Sequence, residues 1–432
     1  MILRDFAQFL LAFPNLNVNQ DSFGLEPYSN DKCPIDIPLT CRNQTTIGDT
    51  CCFEYPGGVF LQTQFWNYRP SKKDLDRDGI ENELGPLESF TIHGLWPDNC
   101  DGGFEQFCRS DLAIDDVDYL LRSDQFNNKT NLDISGEELL FELNKLWKSN
   151  NGNHESLWIH EFNKHGTCIK TIRPDCYSRW GQLDSSNDED KKQAVYDYFR
   201  IAYKLFKKLD TFEFLKESGI VPSVNKTYTR EEIQKALQKK FNGNNVYIGC
   251  DNRNALNEIW YFNLLKGSLL SEEFIPIPSF KSFGRCKADG IKFYPKGHIP
   301  TTGGGGGGGN NDGPSMRGII RLSGYEGHLI RNGHWTIKGT EANFQLMKAP
   351  FGSYYLKSRN GYCTVADSNL LVCNKNRNTA GQFEYDDKTG YLSYSENLNW
   401  SSNEYPRGNK QSLVYHGASD NKYQFKLKFI KI

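Results

Sequence analysis

The chain contains no run of about 18 consecutive apolar residues, so no segment of it reads as a membrane-spanning helix. Its 12 cysteines do not repeat as C-x-x-C pairs, which argues against a zinc ribbon. A convincing secretory leader is missing too. The opening "MILRDFAQFLLAF" has one arginine and a brief apolar run broken by a glutamine, with no small-residue cleavage site after it. Residues 1–20 are therefore no more than a candidate signal segment.

What the chain does contain argues for the secretory route more firmly. The cysteine count is even, and N-glycosylation sequons begin at Asn43, Asn128, Asn225 and Asn399. Together these features are expected of an oxidising compartment.

At 432 residues the chain can hold two or three domains, each with its own core. In "TTGGGGGGGNNDGP" the glycines at 303–309 have no side chains to bury and behave as flexible coil, so 301–313 read as a linker. Charge changes sign across it. Residues 314–432 carry 16 Lys+Arg against 9 Asp+Glu, a balance of +7, which leaves −9 for the rest of a chain totalling −2.

Residues 21–300 mix helical and strand patterns. "SGEELLFELNKLWKS" and "TREEIQKALQKKF" open on the capping boxes Ser135–Glu138 and Thr229–Glu232. "GVFLQTQFW", "SFTIHGLW" and "NEIWYFNLL" read as strands. Strands in local groups with helices between them predict an α+β fold. After the linker, strand patterns such as "YQFKLKF" dominate, and 314–432 read as a small all-β module, sandwich or trefoil-like.

The chemistry centres on "WIHEFNKHGTC", residues 158–168. On a helix at about 100° per residue, His160, Glu161, Lys164 and His165 fall on one arc. A zinc helix needs histidines at i and i+4. Here i+4 is Lys164, a cation that repels metal, and the second histidine comes one residue late. Four polar residues on a helix face are by themselves more often a solvated face than a site. A second segment, "SFTIHGLWPDNC", changes that balance, because His93 in an apolar strand is followed by a Gly turn that can present it at a cleft.

No nucleophilic Ser or Cys motif accompanies these residues. Three imidazoles, a lysine and a glutamate instead suit acid–base work on RNA, whose own 2′-hydroxyl attacks the adjacent phosphorus. Two imidazoles, with an ordinary pKa of about 6.5, can take one proton and give another near working pH. The lysine and the third imidazole can hold phosphoryl oxygens. Trp96 offers a face on which a base can stack.

The same two segments, with the pair Cys51-Cys52 and "GTCIKTIRPDCY", resemble the active-site segments of the RNase T2 family of acid ribonucleases over about residues 30–300. The resemblance implies the T2 fold, a central, mainly antiparallel sheet flanked by helices, with the all-β module as an extension like that of yeast-type vacuolar members. It implies His93 as general acid, His165 as general base, His160 as phosphate-binding imidazole, and Glu161 with Lys164 as transition-state stabilisers. Trp96 and Asp98 match the primary base site, with Phe104 standing where well-known members carry Tyr, a departure that leaves base preference open. Gln64, Ser149, Asn150 and Leu157 align with a second base site. The family's cystine pattern pairs Cys33–Cys52, Cys41–Cys100, Cys51–Cys176, Cys108–Cys168 and Cys250–Cys286, which leaves Cys363–Cys373 for the module.

The function expected is a metal-independent, acid-active endoribonuclease of low base specificity, acting on single-stranded RNA such as rRNA and tRNA. It would need no cofactor and act as a monomer in the vacuole lumen or outside the cell. The yeast members suggest release to the cytosol under stress. Acid has a physical motive, since protonating all eight histidines takes the formal charge from −2 towards +6. The main rival is a non-catalytic stress or cell-wall protein on the same scaffold. The +7 module suits RNA or anionic cell-wall glycans. "DLDRDGIENELG" starts like a calcium loop at Asp74, Asp76 and Asp78, but its twelfth position is Gly85 and not Glu, so it reads as a solvated acidic loop. His154, His328, His334 and His416 have no partner spacing, and the last three are expected at the surface.

Overall fold

The computed structural model describes residues 33, 37–42, 49–128, 132–149, 152–179, 188–280, 283–300, 315–349, 353–366, 368–408, 410–417 and 420–432. The candidate signal segment, the linker, Asn43 and Asn150 lie outside them.

The first unit is organised by the apolar run Gly57–Phe65, a strand buried along its whole length. It pairs antiparallel with Thr91–Asn99 on one side and Leu256–Leu265 on the other. Leu256–Leu265 also pairs antiparallel with Tyr247–Cys250 and Phe274–Ile277. Alternation of side chains separates the two faces. Phe60 enters the main core, while Val59 and Leu61 join Phe262, Leu264 and Ile277 on the opposite side. Helices Gly136–Leu146, His154–Lys164 and Glu189–Lys208 contribute Leu143, Phe162 and Tyr198 to the main core. Both expected capping boxes form. This is the α+β arrangement that the strand grouping predicts.

Two tryptophans tie the strand that carries His93 to the helix that carries His160. Trp158 Nε1 donates to the Trp147 carbonyl (2.9 Å), and Trp147 Nε1 donates to the His93 carbonyl (2.8 Å). Both indoles are buried, so each needs such a partner. Asn163 adds a two-way amide contact with the Ile114 backbone, 2.8 Å each way. The five disulfides implied by the resemblance are formed, as is the remaining pair Cys363–Cys373. Cys108–Cys168 clamps the end of segment 158–168 to the loop carrying Phe104 and Phe107. The start of the acidic run departs from a plain loop, because Asp76 accepts from the Gly79 amide and caps helix Arg77–Leu84.

In the second unit the strands close on themselves. Met316–Leu322 pairs with Leu427–Lys431, which pairs with Tyr391–Tyr394, then Gln382–Tyr385, Tyr354–Ser358 and Phe344–Lys348, which returns to Met316–Leu322. Of the two expected alternatives, this six-stranded barrel with peripheral hairpins is the trefoil-like one, not the sandwich. Closure removes the exposed strand edges that a sandwich would leave. Two histidines expected at the surface are elsewhere. His328 is buried in a hairpin, and His416 packs its ring on Trp400 and Tyr394.

Glu54 secures the turn that follows helix His154–Lys164 by accepting from the amides of Lys170 (2.9 Å) and Thr171 (3.0 Å). Its burial pushes the carboxyl up to about 7, against the opposing pull of those amides. A raised acid binds its proton more tightly folded than unfolded. Its contribution is therefore full below about pH 4.5 and lost as pH rises through about 7. In chemical denaturation, the stability difference between wild type and Glu54→Gln should shrink by about 3 kcal/mol from pH 4.5 to pH 7.5. A difference that stays constant with pH would contradict this assignment.

Candidate active site

Glu161 lies at the centre of the cleft residues. Its side chain is 1% exposed, with Oε1 3.6 Å from His93 Nε2 and Oε2 3.9 Å from His165 Nε2. Trp96 Nε1 donates to Oε2 at 2.7 Å. Two imidazoles from segments far apart in sequence therefore meet at one carboxylate. The local chain makes this possible in two ways. Helix His154–Lys164 ends with His165 as its C-cap residue, so His160 and Glu161 leave the last turn while His165 leaves the cap. Gly94 lets the strand approach, since a Cβ there would overlap Glu161 Oε2 and the Trp96 indole nitrogen.

Rings pack around the two imidazoles. His93 stacks on Phe65 (3.8 Å between centroids, 19°), and His165 stacks on Trp96 (5.0 Å, 19°). Phe107 sets its edge on His160 at 5.9 Å. Burial drives the pKa values of His160 and His165 well below the ordinary imidazole value, and the neighbouring Lys164 charge pushes the same way. Burial raises Glu161, opposed by His93, the Trp96 hydrogen bond and Lys164. The net effect is to reduce unpaired charge in a dry site.

His93, His160, Glu161, Lys164, His165 and Trp96 are gathered in one place. Asp98 and Phe104 adjoin them as bridge partners at the end of the strand. The expected second base site is not an accessible surface. Gln64 is fully buried, its amide taken up by Gln62, the Leu209 carbonyl and Thr211. Leu157 is in the main core, and buried Ser149 gives its amide to His154 Nδ1. Strand parity turns Gln64 inward and helix phase turns Leu157 inward, while Ser149 is buried in the connection between two helices, which corrects the expectation for all three.

Sequence reasoning missed Glu258. Its Oε1 lies 2.7 Å from His93 Nδ1. A carboxylate only accepts, so Nδ1 carries the proton on that side and the ring is oriented with Nε2 towards the cleft. The available signal was an acidic residue in the apolar strand "NEIWYFNLL". Trp260 and Tyr247 were also missed. They stack on each other (4.0 Å), and Trp260 extends the ring surface from Trp96 (5.1 Å). The barrel reaches the site as well, because Lys164 Nζ donates to Gln382 Oε1 at 3.0 Å.

Paired imidazoles about a carboxylate, with a cation alongside, form a proton-transfer site suited to an anionic reacting group. The comparisons agree. The Ribonuclease T2 family pattern matches residues 57–286, and that of the RNase T2-like C-terminal domain matches residues 314–430. A Ribonuclease T2-like protein of Saccharomyces cerevisiae is 55% identical over 438 residues, covering 98% of both chains. One from Eremothecium gossypii is 46% identical over 277 residues, 64% of this chain and 87% of that one. The crystal structure of Actibind, a T2 ribonuclease, superposes with a TM-score of 0.50 at 36% identity, covering 61% of this chain and 98% of that one. The chain belongs to the Ribonuclease T2 family, and its full-length relatives and fold identify it as an endoribonuclease.

Two substitutions test the geometry. Gly94→Ala should displace Glu161 and Trp96 and lower kcat/KM about 100-fold while the protein still folds. Glu258→Gln should lower kcat at least about tenfold with KM little changed, and Glu258→Asp should restore part of the loss. Unchanged steady-state kinetics in either Gly94→Ala or Glu258→Gln would refute the role given to that position.

Proposed function

We propose that the protein cleaves single-stranded RNA without a metal and with little base specificity, leaving first a 2′,3′-cyclic phosphate and then a 3′-phosphate. The observation that carries this reading is the sharing of one buried carboxylate by His93 and His165. In the first step His165 takes the 2′-hydroxyl proton, the 2′-oxygen bonds to phosphorus, and the bond to the 5′-oxygen breaks. Protonated His93 supplies the proton that the leaving oxygen needs. In the second step the roles reverse. His93 removes a proton from water, which opens the cyclic phosphate, and His165 returns its proton to the 2′-oxygen.

Lys164 and His160 hold the non-bridging oxygens as charge builds on phosphorus, where fixed groups in a dry cleft act most strongly. Glu161 keeps both proton-transfer rings in place and balances the positive charge they share. Trp96, Asp98 and Phe104 receive a base next to the scissile bond. An aromatic surface with few directional contacts favours any base over one.

Low pH suits both partners. Burial, with the Lys164, His160 and His93 charges, holds His165 well below the ordinary value, so it stays an unprotonated base in mild acid. The acid partner must be protonated, which the same conditions favour. Six disulfides and the exposed sequon residues Asn128, Asn225 and Asn399 support the secretory route, hence work in RNA turnover in the vacuole lumen or outside the cell.

With total RNA, activity should peak below neutrality, persist in EDTA, and yield 2′,3′-cyclic and 3′-phosphate termini. His93→Ala and His165→Ala should each lose about 10²–10⁴-fold in rate without loss of folding. Lys164→Met should, besides slowing the reaction, move the acid limb of the pH–rate profile upward, because a cation that opposes protonation of the base is gone. An optimum above pH 8 with a divalent-ion requirement would defeat the mechanism.

A further inference from the structure

The two units meet at the catalytic lysine. Gln382, 1% exposed on barrel strand Gln382–Tyr385, accepts from Lys164 Nζ at 3.0 Å through its side-chain oxygen. Its backbone carbonyl accepts from Gln106 Nε2 at 3.2 Å, and the same nitrogen lies 3.2 Å from Ser395 Oγ. Beside these contacts, the short barrel helix Arg377–Thr379 packs on helix His154–Lys164. With the barrel so placed, His93, His160 and His165 are only 7%, 8% and 4% exposed. Actibind is complete, to 98% of its length, within 61% of this chain, so a T2 ribonuclease does not need a counterpart of the remainder for its fold.

We propose that Gln382 is a specificity-determining residue, occupying the ammonium of Lys164 where a phosphoryl oxygen must bind, so that substrates have to displace the barrel's amide and long RNA does so better than short. The proposal rests on the nuclease reading. An ammonium binds an ionised phosphoryl oxygen more strongly than a neutral amide oxygen, so the exchange is favourable once a phosphate is in place. The displacement still weighs against a ligand with a single phosphate.

A longer strand has further contacts to offset it. A cleft of about 280 Å³ opens between the units next to the site, lined by Phe107, Arg109, Asn163, Thr364, Lys375 and Thr379. Phe107 also touches His160, so a strand leaving the phosphate site passes directly into this cleft. There Arg109 from one unit and Lys375 from the other can meet the next phosphates, and the barrel adds its +7 charge. The closed seam also leaves Gln106 Oε1 buried without a hydrogen-bond partner among the described residues, a cost that opening to water relieves.

The test compares the full chain with Gln382→Leu, which keeps the volume and removes the acceptor, and with Gln106→Leu on the opposite side of the seam. The substrates are a dinucleoside monophosphate and a single-stranded RNA of about 20 nucleotides. Gln382→Leu should lower KM for the dinucleotide about tenfold with kcat nearly unchanged, and lower KM for the long RNA much less, so that the length preference collapses. Gln106→Leu should act in the same direction, more weakly. Unchanged KM values in both variants, or an equal fall of kcat on both substrates, would overturn the proposal. The second result would mean that Gln382 orients Lys164 instead of competing for it. Thermal melting checks that each variant folds. Binding of the non-cleavable 2′-deoxy dinucleotide and of DNA of the longer length, read by fluorescence anisotropy, should show the same pattern. It does so whether or not the chain cleaves RNA, so failure of the proposal is distinguishable from failure of the nuclease reading.

Discussion

A carboxylate buried between two imidazoles constrains everything around it. Glu161 has almost no access to solvent, and a lone charge there would be costly. The neighbours that offset this cost are His93 and His165 within 4 Å, the pair proposed to move the protons, and the Trp96 indole at 2.7 Å. Removing any one leaves the others in an environment that no longer suits their charge. Such a cluster also resists partial loss, because its members share one set of contacts.

The scaffold is best understood as the means of holding that cluster together. The strand with His93 and the helix with His160 and Glu161 are far apart in sequence, and no local propensity brings them together. The relay of Trp158 to Trp147 to the His93 carbonyl does so inside the core, where a lost indole bond would leave an unsatisfied donor. Disulfides act at the periphery. Cys108–Cys168 and Cys51–Cys176 fix the chain on leaving helix His154–Lys164, and Glu54 takes up the free amides of the turn between them. Internal hydrogen bonds set the distance between the rings, and covalent links limit how far the surrounding loops can drift.

This division explains what the sequence could tell. Helix phase places His160, Glu161 and Lys164 on one arc, so that part of the centre was legible; the turn expected after His93 is absent, because the strand runs on to Asn99, and Gly94 instead lets Glu161 and Trp96 close in from within it. The capping boxes were legible for the same reason, since each is a property of four consecutive residues. Glu258 was not, because its importance depends on which strand lies beside Phe65, a matter of tertiary register. Gln64 and Leu157 show the reverse error. Both match a pattern in the chain, yet the pleat and the helix phase turn them into the core, and a polar glutamine is satisfied there by Thr211 and the Leu209 carbonyl. Barrel closure was out of reach because it depends on the first and last strands of the unit pairing with each other.

The opposite charges of the two units acquire a structural sense from where they meet. An acidic catalytic unit is a poor long-range attractor for a polyanion, and its cluster of histidines is too buried to compensate at a distance. Placing a cationic barrel against the one lysine of the site puts attraction next to the chemistry without adding charge inside the cleft, where it would depress the imidazoles further. The same placement narrows the approach. On the proposal made for Gln382, capture and exclusion come from one surface, and their balance shifts with ionic strength, since attraction by exposed lysines is screened more strongly than the part-buried Lys164–Gln382 contact. Salt should therefore weaken the hold on long RNA before it loosens the seam.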